Sequence, residues 1–203
     1  MIQQGTPEWF ASRLGKVTAS RIADVMAAST TAANEGYMID LAWERITGER
    51  EPSFVNAAMQ WGTDTEPKAL YAYEVFTGFL VETVAMIDHP TILMSGASPD
   101  GLVDLDGQIE IKCPNTSTHA RTLLTGKYDP KYAKQMQWQM ACTGRTWCDF
   151  VSFDPRSPEH LQLCIIRVPR DEEVIAKMEA QVTTFLLSVA AMVEKFTETK
   201  AAA

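Results

Sequence analysis

The stretch Ser98-Pro99-Asp100-Gly101-Leu102-Val103-Asp104-Leu105-Asp106-Gly107-Gln108-Ile109-Glu110-Ile111-Lys112-Cys113-Pro114 decides the fold, because a turn, two strands and the signal that joins them follow one another in it. Leu102–Leu105 and Ile109–Cys113 read as strands, and Asp106-Gly107 is the hairpin signal between them. Side chains alternate across a strand, so Glu110 and Lys112 project from one side while Ile109 and Ile111 pack on the other. An acid and an amine are thereby held next to each other on a rigid element. The place of Asp100, ten positions before Glu110, depends on the turn. A two-residue loop at Asp106-Gly107 puts it on the wrong face; a three-residue loop with Gly107 left-handed puts it opposite Lys112, and a bend at Pro99 serves equally well. We expect the longer loop.

Outward from this hairpin the periodicity changes. Upstream, Thr18 or Ser20 caps a helix to about Ala28, with Ile22, Val25 and Met26 recurring at three and four residues. A second helix fits Gly36–Thr47 with Gly48 as its stop, and a third runs from about Thr65 to Thr77, helped by Pro67 in its first turn and closed by Gly78. Phe79–Ile87 and Ile92–Ser95 read as further strands. Downstream come helices at Ser117–Leu124 and Lys131–Cys142, strands at Trp147–Phe153 and Leu161–Val168, and a long helix from Asp171 to about Glu198. The expected fold is α/β or α+β, a central mixed β-sheet flanked by helices in two or three layers, with residues 1–203 as a single domain.

Composition bounds the function. With 46% hydrophobic and 22% charged residues the chain has the make-up of a folded domain rather than a disordered one. No stretch approaches the roughly 20 apolar residues that span a bilayer, Phe185–Val193 coming nearest, and Met1-Ile2-Gln3-Gln4-Gly5 lacks the basic start of a secretory signal, so a soluble intracellular protein without a membrane role is expected. Cys113, Cys142, Cys148 and Cys164 show no C-x-x-C pair and read as reduced. Ala201-Ala202-Ala203 reads as a loose end. A net charge of −8 argues against a phosphate-binding partner at first, yet part of that acidity belongs to a metal site, and a basic groove can coexist with an acidic exterior.

The chemistry sits in the hairpin. Two carboxylates on one face, joined by the carbonyl of Ile111, make an all-oxygen site suited to Mg²⁺ or Mn²⁺ rather than zinc. Such an ion polarises a phosphoryl oxygen and acidifies a bound water, and Lys112 would orient that water or the pentacovalent phosphate. His89, His119 and His160 have no metal-ligand spacing. Asp-x₉-Glu-x-Lys alone occurs by chance on solvated hairpins, but here Glu110 and Lys112 alternate with isoleucines before Cys-Pro, and Ser-Pro-Asp-Gly stands at the right distance upstream.

Five ordered stretches carry a resemblance over Trp9 to about Arg156: Trp9 with Arg13-Leu14-Gly15-Lys16-Val17-Thr18-Ala19-Ser20; Trp61-Gly62 with Glu66; Ser98-Pro99-Asp100-Gly101; Glu110-Ile111-Lys112-Cys113-Pro114; and Tyr132-Ala133-Lys134-Gln135-Met136-Gln137-Trp138. The chain resembles the phage lambda exonuclease family, alkaline exonucleases of the PD-(D/E)xK superfamily with a restriction-endonuclease-like core. The resemblance implies a metal-dependent exodeoxyribonuclease that digests the 5′-ended strand of double-stranded DNA to mononucleotides and leaves 3′ overhangs for strand annealing. It implies two Mg²⁺ ions per site, or Mn²⁺: one on Asp100, Glu110 and the Ile111 carbonyl, the second on Glu66 and Asp100, with Lys112 assisting the attacking water.

By the same resemblance Arg13, Thr18, Ser20, Ser98 and Gln135 grip the 5′-terminal phosphate, which a guanidinium fork and neutral donors suit. Met59 stands where relatives present an apolar wedge. Read on their own, Glu66 at the first turn of a helix favours its dipole, Ser20 caps a helix, and Gln135 with Gln139 one turn on forms a solvated polar face. Trp61, Trp138 and Trp147 read as core or interface. The family further implies a homotrimeric ring around DNA, a single-strand-annealing partner, and a phage- or prophage-encoded protein in the bacterial cytoplasm. Met26 to Gly36 departs from the pattern, supplying no basic residue for the duplex. Two other readings stay open: an endonuclease of the same superfamily, restriction or junction-resolving, and a non-catalytic DNA-binding protein on the same fold.

Overall fold

A small sheet and a larger one organise the chain, and the short segment Ser98-Pro99-Asp100 leads from a strand of the first into the hairpin of the second. The computed structural model describes residues 4–51 and 56–201; the expectation drawn on Met1–Gln3 and the tail residues Ala202 and Ala203 lie outside them. In chain order the elements are α1 (Pro7–Arg13), β1 (Val17–Thr18), α2 (Ile22–Val25), α3 (Ala32–Thr47), α4 (Ala57–Thr77), β2 (Val81–Glu82), β3 (Ile87–Asp88), β4 (Ser95–Ala97), β5 (Gly101–Val103), β6 (Gly107–Lys112), α5 (Thr116–Thr125), α6 (Ala133–Thr143), β7 (Trp147–Phe153), β8 (Leu163–Pro169) and α7 (Glu172–Ala201). A three-stranded sheet runs β1-β4-β3 and a five-stranded sheet runs β2-β5-β6-β7-β8. Strands β6 and β7 are parallel, with α5 and α6 in the crossover between them, and the other three pairs of this sheet are antiparallel. This is the mixed α/β architecture expected.

Alternation along β6 and β7 divides the interior. Val103, Ile109, Ile111, Val151 and Phe153 pack under Ala69 and Tyr73 of α4 on one face. Cys148, Phe150 and Val168 on the other face meet Met136, Trp138 and Met140 of α6, and the cluster continues through Val17, Ile22 and Val25 to α3 and α7. The polar residues Gln108 and Glu110 share this second, α6 face, and both are fully buried. Four helices end on a left-handed glycine, Gly48, Gly78, Gly126 and Gly144, and Thr6, Thr31, Asn56 and Asn115 cap the starts of four by accepting a backbone N–H.

Several boundaries move. The helix expected from Thr18 or Ser20 to Ala28 is instead β1, a 3₁₀ turn over Ala19–Arg21 and the single turn of α2, because Val17 and Thr18 pair in parallel with Ser95 and Gly96. Helix α4 starts at Ala57, eight residues before the expected Thr65, so Pro67 lies in its interior and Glu66 is not in a first turn. The expected strand Phe79–Ile87 is two short strands that serve different sheets, and Ile92–Ser95 yields to a turn with Met94 at φ 60° before β4. Helix α1 is additional to the elements expected, although Thr6-Pro7-Glu8 is a start signal.

The tail follows the same helix as its neighbours: α7 reaches Ala201. Its mean hydropathy of 1.3 over a spanning length is enough for a bilayer, against the expectation drawn from contiguous apolar residues. Ile175, Met178, Val182, Phe185 and Val189 are nevertheless buried in the core, the pattern of a helix packed on protein.

The hairpin has a three-residue loop, but not at the expected residues. Val103 pairs with Gly107, so Asp104-Leu105-Asp106 form the loop and Asp104, at φ 46°, takes the left-handed conformation while Gly107 does not. Gly107 is required for another reason: a Cβ there would lie 2.1 Å from the Trp147 indole. Continuing the register from Gly101 opposite Ile109 puts Asp100 opposite Glu110 rather than Lys112. A shift of two residues preserves the face, so Asp100 still joins Glu110 and Lys112.

Candidate active site

Four charged groups gather at the carboxyl end of β6. Glu110, fully buried, takes the Lys112 ammonium on Oε1 in a short ion pair, together with the Gln135 Nε2–H at 2.6 Å, while its Oε2 accepts from Gln139 Nε2 at 2.6 Å. Asp100 Oδ2 accepts the Ile111 backbone N–H at 2.6 Å. The N–H and C=O of one strand residue point to the same side, so the Ile111 carbonyl is turned toward Asp100 and away from β7. Glu66 reaches this end of the strand from α4 and feels the charges of Lys112 and Glu110. Lys112 Nζ stands 5.1 Å from the centre of the Tyr132 ring.

The electrostatics follow from the crowding of acids. Burial, with Glu110 beside it, pushes the Asp100 carboxyl well above the usual range against the pull of Lys112 and the Ile111 N–H. Burial likewise raises Glu66, with Lys112 opposing and Glu110 adding. Burial would lower the Lys112 ammonium, but Glu110 and Asp100 outweigh it and hold it above its ordinary value. Cys113 is pushed up to about 12 by burial and then by Glu66 and Asp100, so it offers no thiolate. Three carboxylates therefore share one ammonium in a recessed place, an arrangement that a hard divalent cation would balance.

Among the described residues, no three His, Cys, Asp or Glu side chains are already spaced as a metal cage. The reason is visible: the Glu110 oxygens are turned onto amide and ammonium donors and one Asp100 oxygen onto a backbone N–H. The donor set and its charge fit Mg²⁺ or Mn²⁺, with Asp100, Glu110, Glu66 and the Ile111 carbonyl as the oxygens that could hold it, after side-chain rotation. A histidine centre does not fit, because His119 is buried with Nδ1 on Ser152 Oγ at 2.8 Å and Nε2 on the Leu161 carbonyl at 2.7 Å.

Next to the acids lies a second cluster, built from donors. Arg13 of α1 gives Nη1–H to Ser98 Oγ at 3.0 Å and Nη2–H to Ser20 Oγ at 3.3 Å, and its guanidinium lies 4.2 Å from the Trp9 ring centre. Trp9 Nε1 also donates to Ser98 Oγ at 3.0 Å, and Thr18 Oγ1 is 3.3 Å from Ser20 Oγ. Burial and then Arg50 lower the Arg13 guanidinium to about 10, and Arg13 Nε is enclosed without a partner among the described residues, both conditions that an anion would relieve. Ser98 is two residues before Asp100, so one short chain segment links the two clusters.

The structure thus gathers Glu66, Asp100, Glu110, Ile111 and Lys112 in one place and Arg13, Thr18, Ser20 and Ser98 in another. Gln135 does not line the donor cluster in this conformation; it lies on Glu110. Ser20 is no helix cap of the expected kind, since it sits inside the 3₁₀ turn Ala19–Arg21, whose N-cap position Thr18 occupies. Met59 is half-exposed and seven residues before Glu66, about two turns away on the same side of α4. Trp138 is core, stacked on His89; Trp147 covers Gly107; Trp61 lies under the Arg156 guanidinium at 4.4 Å. The four cysteines are free thiols. Sequence reasoning missed Trp9 as part of the donor cluster, and it missed Gln108 and Gln139. Gln139 is fully buried, not solvated, and the signal for Gln108 was its place on the Glu110 side of the strand.

Comparison with known proteins follows the same outline. Residues 8–146 match the YqaJ-like viral recombinase domain. An alkaline exonuclease from Laribacter hongkongensis is 54% identical, with 97% of this chain and 98% of that one covered and a TM-score of 0.91, and the same figures hold for its structure in complex with dAMP. A phage-related exonuclease from Haemophilus somnus 129PT shares the fold at 16% identity and a TM-score of 0.70, covering 89% of this chain and 96% of that one. Comparison with curated proteins gives no match.

Proposed function

The chain belongs to the YqaJ-like viral recombinase family and is a nuclease, and on that premise we propose that it digests one strand of double-stranded DNA from a 5′-phosphorylated end, releasing mononucleotides and leaving 3′ overhangs. The observation that carries this reading is the adjacency of two opposite clusters: carboxylates with Lys112 at the end of β6, and Arg13 with Ser20 and Ser98 two residues along the chain from Asp100. The first suits phosphodiester hydrolysis and the second suits a terminal phosphate. The 54% identical exonuclease was solved with dAMP, a deoxynucleoside monophosphate, which supports DNA as substrate and mononucleotide as product.

In this reading Asp100, Glu110 and the Ile111 carbonyl would hold one Mg²⁺ or Mn²⁺, and Glu66 with Asp100 would hold a second. When bound, the ions supply Lewis-acid polarisation of the scissile phosphate and a water acidified toward neutrality. Lys112, fixed between Glu110 and the Tyr132 face, would orient an attacking water and counter charge developing on the phosphoryl oxygens. Arg13, Thr18, Ser20 and Ser98 seat the 5′-phosphate, with Gln135 moving from Glu110 to join them, and Met59 abuts the terminal base pair from α4. The protein acts as a homotrimer in the cytoplasm of a bacterial host and passes its 3′ overhang to a single-strand-annealing protein.

A time course on end-labelled linear duplex with Mg²⁺ tests this. Wild type is expected to release mononucleotides from 5′-phosphorylated ends, more slowly from 5′-hydroxyl ends, and Lys112→Ala to release none. Ready cleavage of closed circles would favour an endonuclease, and no Mg²⁺-dependent cleavage at all would leave a DNA-binding protein.

A further inference from the structure

Behind Glu110 the polar side chains continue into the core. The Arg145 backbone N–H donates to Thr143 Oγ1 at 3.3 Å, Thr143 Oγ1 donates to Gln108 Oε1 at 2.7 Å, Gln108 Nε2 donates to Gln139 Oε1 at 3.4 Å, and Gln139 Nε2 donates to Glu110 Oε2 at 2.6 Å. Each amide receives at its carbonyl and gives at its nitrogen, so the four hydrogen bonds are polarised in one direction and end with an N–H aimed at the carboxylate. Gln108 and Gln139 are both fully buried between α6 and the sheet, where Met136 and Met140 of the same helix pack as apolar neighbours. Packing alone does not require amides there, and burying them costs free energy unless every polar atom is partnered. A third glutamine of the helix serves the fold instead, since Gln137 donates to the Pro169 carbonyl at 2.9 Å and accepts the Asp171 N–H at 2.9 Å, tying β8 to α7.

We infer that Gln139, oriented by Gln108 and Thr143, is a positioning residue for Glu110: it anchors Oε2 and leaves Oε1 as the oxygen that exchanges its partners, from Lys112 and Gln135 to a bound cation. The inference rests on the metal-dependent reading proposed above, since it assigns to Glu110 a ligand's role. Two glutamines on one carboxylate then do different things. Gln135, partly exposed, is the donor that yields; Gln139, enclosed and held from behind, is the one that stays.

The test uses the full chain and four proteins: wild type, Gln139→Met, which keeps the volume and removes the N–H, Thr143→Val, which cuts the far end of the relay, and Gln137→Met as the structural control. Mn²⁺ binding by calorimetry is read with the melting temperature, metal-free affinity for a 5′-phosphorylated duplex, and turnover at saturating DNA. Gln139→Met is expected to weaken Mn²⁺ binding about tenfold or more, the usual scale for a residue that orients a ligand. Turnover falls with it, duplex affinity stays at the wild-type value, and Thr143→Val shows a smaller loss of the same sign. Gln137→Met is expected to lower the melting temperature and leave Mn²⁺ affinity unchanged. Wild-type Mn²⁺ affinity in folded Gln139→Met overturns the inference, as does an equal loss in Gln137→Met; should Gln139→Met not fold, wild-type affinity in Thr143→Val overturns it. Wild type that binds no Mn²⁺ removes the metal-site reading itself, and with it the inference.

Discussion

Lys112 is set among three acids, and its side chain is 28% exposed while that of Glu110 is 1% exposed. Lys112→Met should therefore destabilise the metal-free protein by about 2–3 kcal/mol, below the 3–5 of a wholly buried pair because solvent screens its outer part. Urea melts should show this, and saturating Mg²⁺ should restore most of it. The acids also give a pH signature. Burial raises Asp100, and raises Glu66, so the folded state holds their protons more tightly than the unfolded chain does. That contribution is complete below the ordinary carboxylate range near pH 4 and fades as pH rises through the elevated values. Metal-free melting temperature should thus fall across the range above pH 4, and the increment given by Mg²⁺ should widen with pH; a constant increment would contradict it. At this scale the sequence is informative where alternation decides the matter, since Glu110 and Lys112 on one face and isoleucines on the other follow from strand period alone. Asp100 is legible as to face but not as to its partner across the hairpin. Gln139 is unreadable, because a helical period shows that Gln135 and Gln139 share a side without showing whether water or another glutamine faces them.

Strand β6 is held against β7 by a contact that glycine alone permits. A methyl at position 107 would meet the Trp147 ring at 2.1 Å, so Gly107→Ala should cost about 1–3 kcal/mol by overpacking, read as a lower urea midpoint at unchanged slope. Trp147→Leu made with it should recover part of that loss, and additivity of the two would argue against the contact. The long elements are legible: α3, α6, β7, β8 and α7 lie within a few residues of their expected places. What escapes is decided by partners distant in sequence. Val17 and Thr18 have a helical-looking neighbourhood, yet they extend because Ser95 and Gly96 offer backbone groups to pair with. Pro67 suggests a helix start, and its tolerance in the interior of α4 keeps the sequence from showing that the helix begins after Asn56, its cap. Short α1 has a start signal but no apolar period to support it.

Over the whole molecule, Tyr71, Val75 and Phe76 near the end of α4 and Leu80 just beyond it are about two-thirds exposed or more. An apolar stripe of this kind supports the proposed homotrimer. Light scattering should give three chain masses for wild type and a smaller species for Phe76→Glu, with the variant still trimming short duplexes but dissociating sooner on long ones; a wild-type monomer would contradict the ring. The architecture as a mixed sheet flanked by helices is legible from the order of periods, whereas the division into two sheets is not, because β2 and β3 are two residues each and follow one another without a turn signal. That division has a mechanical meaning. The chain leaves the smaller sheet at Ala97 and enters the larger at Gly101, and in between it carries Ser98 and Asp100. Two residues of backbone reach at most about 7 Å. On the roles proposed for these two residues, a caliper with one jaw on the 5′ terminus and the other on the bond to be broken would be set covalently, the length of each bite fixed by the peptide itself rather than by how the substrate happens to settle.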